Sequence, residues 1–260
     1  MPDDAPVLRH DTDGVTTLTL NRPRHFNALS EEVIAALGAE FDRLAGDEDV
    51  RCVVLAAEGK AFCAGHDLKQ MRATPDKAYY QALFARCGEL MQAIVALPVP
   101  VIARVQGLAT AAGCQLVASC DLAVAARSAR FAVSGINVGL FCSTPAVALS
   151  RNVGRKRAME MLFTGEFIGA DQARDWGLVN RVAEDDHLDA VLGELTTSLC
   201  AKSRVALRTG KAMFHRQLSM PLEEAYAYAG ETMACNMMAE DASEGIDAFI
   251  DKRAPRWRHR

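Results

Sequence analysis

Two glycine-bearing segments carry the pattern that reads most directly as chemistry. From Lys60 to Lys69, Gly65 stands directly before His66 and Asp67, where an apolar run gives way to polar residues. Glycine reaches positive φ without strain, so such a turn can aim successive backbone N–H groups into one cavity. From Gln106 to Leu116, small residues crowd what reads as a helix start. The first N–H groups of a helix lack partners within it and favour negative charge. Two amide sources meeting at one point would hold an oxyanion, each donor worth about 2.7–4 kcal/mol in a transition state. Either segment alone is also an ordinary packing device.

Other chemistry finds less support. The chain has eight cysteines, but Cys52, Cys63, Cys114, Cys120 and Cys142 sit in apolar or small-residue runs without zinc-type spacing. They read as reduced core thiols, and no metal site is expected. Cys142 follows Phe141 and has no base beside it in sequence, so it too reads as a packed thiol rather than a nucleophile.

The elements that must position these segments follow from periodicity. Val15 to Leu20 alternates and leaves the sheet at Pro23; Ser30, followed by Glu31 and Glu32, caps a helix whose apolar face is Val33, Leu37, Phe41 and Leu44. Val50 to Ala56, Val101 to Val105 and Leu122 to Ala126 are nearly continuous apolar runs, the pattern of strands buried on both faces. A helix is expected from about Tyr79 to Leu97, and a helical run from Ala146 to Phe163 broken near Gly154. Strands alternating with helices predict an α/β sheet covered by helices. Residues 1–190 read as this core, and residues 191–260 as a helical region continuous with it, since no Gly/Ser/Pro-rich linker intervenes.

Composition sets the outer bounds. Half of the 260 residues are hydrophobic and 24% are charged, enough to bury a large core. A net charge of −4 argues against nucleic acid and anionic membranes as partners. Arg104 and Gln106 interrupt the best apolar stretch, Val99 to Ala118, so no membrane span is expected. The opening Met-Pro-Asp-Asp-Ala-Pro has neither signal-peptide nor transit-peptide character, from which a cytoplasmic location is expected. The basic last ten residues read as a solvated terminus.

Asn21 to Leu29, Ala61 to Lys69, Gly113 to Leu116 with Cys120 and Asp121, Gly165, Ala170, Gly177 to Val179, and Gly245 to Arg253 together resemble, in order, the signature segments of the enoyl-CoA hydratase/isomerase (crotonase) superfamily. The stretches Val105 to Gln115 and Asn137 to Pro145 are most similar to its branch called enoyl-CoA hydratase domain-containing protein 3. The resemblance implies a crotonase-like spiral of ββα units with a C-terminal helical region that makes subunit contacts in a homotrimer or a dimer of trimers. It implies an acyl-CoA substrate and no separate cofactor, CoA entering as part of the substrate. By position it makes the N–H groups of His66 and Ala112 the oxyanion donors. Arg24, His25, Ala64, Leu68 and Gly113 would line the substrate site, and Phe249 and Lys252 would close the CoA pocket, often from a neighbouring subunit.

The pattern is broken where it matters for hydration. The two glutamates that hold water in family hydratases fall on Gln115 and Gly135, and a third acid used by other members falls on Ser143. None of these residues is an acid or base near neutral pH. Because general acid–base catalysis contributes roughly 10²–10⁴-fold, ordinary alkene hydration is expected to be weak. The polar groups left near the inferred site are Gln115, Ser134, Asn137, Cys142, Ser143 and the His66 ring. The turn holding His66 also occurs in decarboxylating members, where an enolate forms as CO2 leaves and no strong base is needed. Three readings stay open: a thioester-enolate enzyme, a decarboxylase of a malonyl-type CoA, and a non-catalytic acyl-CoA scaffold.

Overall fold

The computed structural model describes residues 5–260. Six strands form the larger sheet, side by side as β1 (Val7–Thr12), β2 (Val15–Leu20), β3 (Cys52–Ala57), β5 (Val101–Val105), β7 (Leu122–Ala126) and β10 (Arg181–Ala183). A second sheet of four short strands runs β4 (Ala61–Cys63), β6 (Leu108–Thr110), β8 (Arg130–Ala132) and β9 (Ile168–Gly169). The helices are α1 (Glu31–Ala45), α2 (Leu68–Ala73), α3 (Lys77–Ala96), α4 (Ala112–Ser119), α5 (Ser143–Leu149), α6 (Arg155–Thr164), α7 (Ala170–Asp175), α8 (Leu188–Cys200), α9 (Arg204–Gln217), α10 (Leu222–Met237) and α11 (Glu240–Ile250).

The chain advances by one repeated step. β3, β5 and β7 each enter the large sheet, and the strands that follow them, β4, β6 and β8, each enter the small one before the chain turns into helix. β2, β3, β5 and β7 are parallel, and so are β4, β6 and β8. This is the expected spiral of ββα units, and the fold class is α/β.

Continuous apolar strands follow from two-sided burial. Val53 and Leu55 of β3 face the main core with Leu37, Phe41, Leu90 and Ile94 of α1 and α3. Val54 and Ala56 of the same strand face a smaller core closed by Leu188 and Leu192 of α8. Successive residues of a strand point to opposite faces, so both sets must be apolar. Ser30 caps α1 as expected, its side chain accepting the Val33 N–H at 3.3 Å.

Beyond α8, the C-terminal helices are attached by polar contacts rather than by a deep core. Lys211 of α9 donates to the Ile94 and Val99 carbonyls, both at 3.0 Å, and to Asp121 at 2.6 Å. The last ten residues are mostly exposed, as the sequence suggested, but hydrogen bonds anchor them. The Trp257 indole donates to the Ala201 carbonyl at 2.8 Å, and the Arg258 and His259 N–H groups donate to the buried Asp241 carboxylate at 2.7 and 3.1 Å. That buried carboxylate needs donors, and the tail supplies them. Among the described residues no helix is long and apolar enough to cross a membrane.

Candidate active site

The parallel strands β4, β6 and β8 end side by side, Ala109 of β6 pairing with Cys63 and Thr110 with Ala132. The three segments that leave those ends, 64–66, 111–112 and 133–135, therefore share one edge. Crevices beyond the carboxyl ends of parallel strands are where α/β folds bind ligands.

Gly65 leaves β4 at φ +91°, and a Cβ there would stand 2.9 Å from the Ala111 Cβ and 3.3 Å from the Ala112 nitrogen. The first turn thus lies against the start of α4 at a distance that only glycine allows. Leu29 locks it in place: the Leu29 N–H donates to the Gly65 carbonyl at 2.8 Å, and the Asp67 N–H donates to the Leu29 carbonyl at 3.4 Å. In that parallel bridge His66 is the flanked residue, so its own N–H points to the opposite side. Ala112 is the first residue of α4 and has no acceptor within the helix. Ala111 before it is held at φ 51° and ψ −119°, unusual for a residue with a Cβ, while its N–H donates to the Ala132 carbonyl at 3.0 Å. Among the described residues neither the His66 nor the Ala112 N–H has a backbone acceptor.

The loop before α1 is tied to the same turn. Phe26 and Asn27 have φ of 51° and 53°. The buried Asn27 side chain donates to the Glu58 and Ala61 carbonyls at 2.8 Å, and the Ala64 N–H donates to the Phe26 carbonyl at 3.0 Å. Arg24 and His25 are thereby placed on an exposed rim beside Ala64, with Leu68 half exposed at the start of α2. Asp67 caps that helix, accepting the Lys69 and Gln70 N–H groups at 2.9 and 3.1 Å. Gly113 lies one residue inside α4, where any Cβ would fall 2.1 Å from the Cys63 carbonyl oxygen. Its role is close packing of helix on strand.

Phe249 and Lys252 are not drawn to the strand ends within one chain. α11 packs on α9 and α10, and Phe249 is 85% exposed. Two grooves of about 460 and 390 Å³ are lined by C-terminal helices and their flanks, none of their lining coming from the crevice. Ser143 is exposed at the first turn of α5, its hydroxyl donating to the Phe141 carbonyl at 3.3 Å. Asn137 reaches toward the Gly165 carbonyl at 3.4 Å.

Ser134, Cys142 and the His66 ring were expected near the site, and the structure adds three contacts that the sequence does not show. The Thr110 and Ser134 hydroxyls bond each other at 2.7 Å, joining the ends of β6 and β8. The His66 ring meets Phe84 of α3 edge-on at 5.5 Å, with both ring nitrogens buried and unpartnered. Burial lowers the His66 pKa, opposed by the nearby Leu29 carbonyl, so the imidazole is neutral at pH 7. Cys142 is the third: its thiol accepts the Gly135 N–H at 3.2 Å, and burial pushes its pKa up. Gln115 is 4% exposed and its Oε1 has no partner. Among the described residues no group of three His, Cys, Asp or Glu is placed to hold a metal.

Comparison with known proteins agrees with this architecture. Residues 10–260 match the family model described as enoyl-CoA hydratase/isomerase, and the chain belongs to that family. Within it, the chain falls in the branch of enoyl-CoA hydratase domain-containing protein 3. It is 44% identical to the mitochondrial protein of that name from Rattus norvegicus over 99% of this chain and 87% of the relative. It is 42% identical to the Homo sapiens protein over 98% of this chain and 84% of the relative. A crystal structure of an enoyl-CoA hydratase from Mycobacterium smegmatis is 64% identical, with a TM-score of 0.96 over 97% of this chain and 98% of that one. The human domain-containing protein 3 structure has a TM-score of 0.94 at 42% identity, over 97% of this chain and 100% of that one.

These names correct one expectation. Curated relatives at 42–46% identity are called mitochondrial, against the cytoplasmic location inferred from the opening residues. Targeting addresses are read apart from the packed domain, so neither the fold nor its site records them. Met1 to Asp4 also lie outside the described residues.

Proposed function

We propose that the chain is an enzyme of acyl-CoA thioesters, in which the His66 and Ala112 N–H groups grip the thioester oxygen and stabilise an enolate. The single observation that carries this reading is the 3.3 Å between the Ala112 nitrogen and the Cβ position of Gly65, which supports convergence of two amide sources on one space. The substrate's adenine end would lie along Arg24, His25, Ala64 and Leu68. Phe249 and Lys252 of a second copy would close the CoA pocket, in a homotrimer or a pair of trimers. The exposed apolar residues of the C-terminal helices, among them Leu222, Tyr226, Met233 and Met238, suit burial between copies.

Hydration is not the reaction favoured, because Gln115 and Gly135 supply no carboxylate. Loss of CO2 from a malonyl-type CoA, which forms the enolate without a base, fits the site better, whereas isomerisation would need an unconventional acid–base group. The test is turnover of crotonyl-CoA, a 3-enoyl-CoA and malonyl-CoA by the purified protein, beside calorimetric titration with butyryl-CoA. Binding with turnover of at least one ester is expected. Binding without turnover would leave the second reading, an acyl-CoA scaffold, which the same absent carboxylates favour. No binding of any ester would remove both.

A further inference from the structure

We propose that the thiol of Cys142 is the group that exchanges a proton with the α-carbon of the bound thioester. The inference rests on the thioester reading above and names the catalytic group that reading lacks.

Gly135 stands where the resemblance places one of the hydratase acids. A Cβ on Gly135 would fall 2.8 Å from the Cys142 Sγ and 2.6 Å from the Leu140 carbonyl oxygen. The space into which a side chain at 135 would grow is thus already taken by a thiol brought from seven residues downstream. It is held there by the Gly135 N–H at 3.2 Å and is 8% exposed. Gly135 in turn follows Ser134, whose hydroxyl is 2.7 Å from that of Thr110, two residues before the Ala112 donor.

A second observation points to a ligand in the same place. Gln115 is 4% exposed, yet its Oε1 has no partner. Helical side chains lean toward the N-terminus and cover the preceding turn, which for Gln115 is the turn of Ala111 and Ala112 at the start of α4. A buried, unsatisfied amide is costly and calls for an occupant. α5 packs against α4, and its cap residue Cys142 neighbours Cys114, whose thiol is pushed up to about 12 by burial and by that neighbour.

The step balances without a further reactant. The electron pair of the enolate takes the thiol proton as the S–H bond breaks and the α-carbon C–H bond forms. The thioester carbonyl is restored, and the thiolate recovers a proton from water. In reverse, thiolate removes the α-proton and the pair moves onto the oxygen held by the His66 and Ala112 N–H groups. Burial keeps Cys142 a thiol at neutral pH, the form that donates. The other group able to carry a proton, the His66 imidazole, sets its ring against Phe84 of α3 instead.

The experiment is α-hydrogen exchange into butyryl-CoA in deuterium oxide, followed by NMR with the full chain. For the natural chain, exchange is expected to climb from pH 7 through pH 9, as thiolate accumulates. Cys142→Ser and Cys142→Ala should still bind butyryl-CoA in calorimetry while exchange falls at least about 100-fold, in the range of general acid–base catalysis. A second measurement uses the natural chain alone: butyryl-CoA should slow methyl methanethiosulfonate labelling of Cys142 and leave that of the exposed Cys235 unchanged. Exchange that is absent, that persists in Cys142→Ser, or that stays level from pH 7 to pH 9 as a neutral imidazole base would give, overturns the proposal, as does labelling indifferent to ligand. Failure of the natural chain to bind butyryl-CoA sinks the thioester reading and this one with it; binding with undiminished exchange in Cys142→Ser sinks this one alone.

Discussion

At Gly65 a methyl group would have to enter a 2.9 Å gap to Ala111 on a backbone at φ +91°. Gly65→Ala must therefore push the turn away from α4, separating the two amide donors. Loss of one such donor costs about 10²–10³-fold in rate, and that loss is expected in turnover or α-exchange while the circular dichroism spectrum stays that of the natural chain. Gly135→Glu, the change that would restore an acid, meets the Leu140 carbonyl at 2.6 Å and the Cys142 thiol at 2.8 Å. It should lower stability by about 1–3 kcal/mol, the usual cost of overpacking, in urea denaturation, and should not create a hydratase. Gly65 and the small residues of 106–116 were legible because backbone sites leave a composition signature. Cys142 was placed near the site but read as a packed thiol, and nothing local shows that it folds back onto Gly135.

At the scale of elements, legibility followed length and burial. β3, β5 and β7 announced themselves through continuous apolar runs that serve two cores. β4, β6 and β8 have three residues each, too few to show a period, so the small sheet that carries the crevice was invisible. Of the C-terminal helices, α9 shows how a polar contact can hold an element. The Lys211 ammonium, its side chain 8% exposed, pairs with Asp121, which also accepts the Val101 N–H at 2.8 Å. Removing one partner of a buried pair leaves the other uncompensated, so Lys211→Met should cost about 3–5 kcal/mol in chemical denaturation. A loss below 1 kcal/mol would mean that α9 is held by its apolar contacts instead. Asp121 also meets the His215 ring of α9 at 3.4 Å, so the carboxylate ties α9 to the start of β5.

For the whole molecule, the last residues close a circuit between the C-terminal helices and the sheet. His259 bonds the Arg51 guanidinium at 2.6 Å through Nε2, while its own N–H and that of Arg258 satisfy Asp241 at the start of α11. With the arginine as donor, the ring must be neutral to accept. Burial first, then the charges of Arg51 and Arg204, lower the His259 pKa, and Asp241 opposes them. The folded state therefore binds fewer protons than the unfolded one near the ordinary value of 6.5, and stability rises with pH across that range. The contribution is complete above about pH 6.5 and is lost as pH falls toward the lowered value. On acidification His259 gains a proton, loses Arg51 as a donor and repels it, so the tail should release Trp257 from the Ala201 carbonyl. The expected sign is a red shift of tryptophan fluorescence between pH 7.5 and 5 in a Trp176→Phe background, where Trp257 is the remaining indole. His259→Gln keeps an acceptor for Arg51 but cannot titrate, and the shift should vanish in it. A shift of equal size in that variant would exclude His259 as its cause.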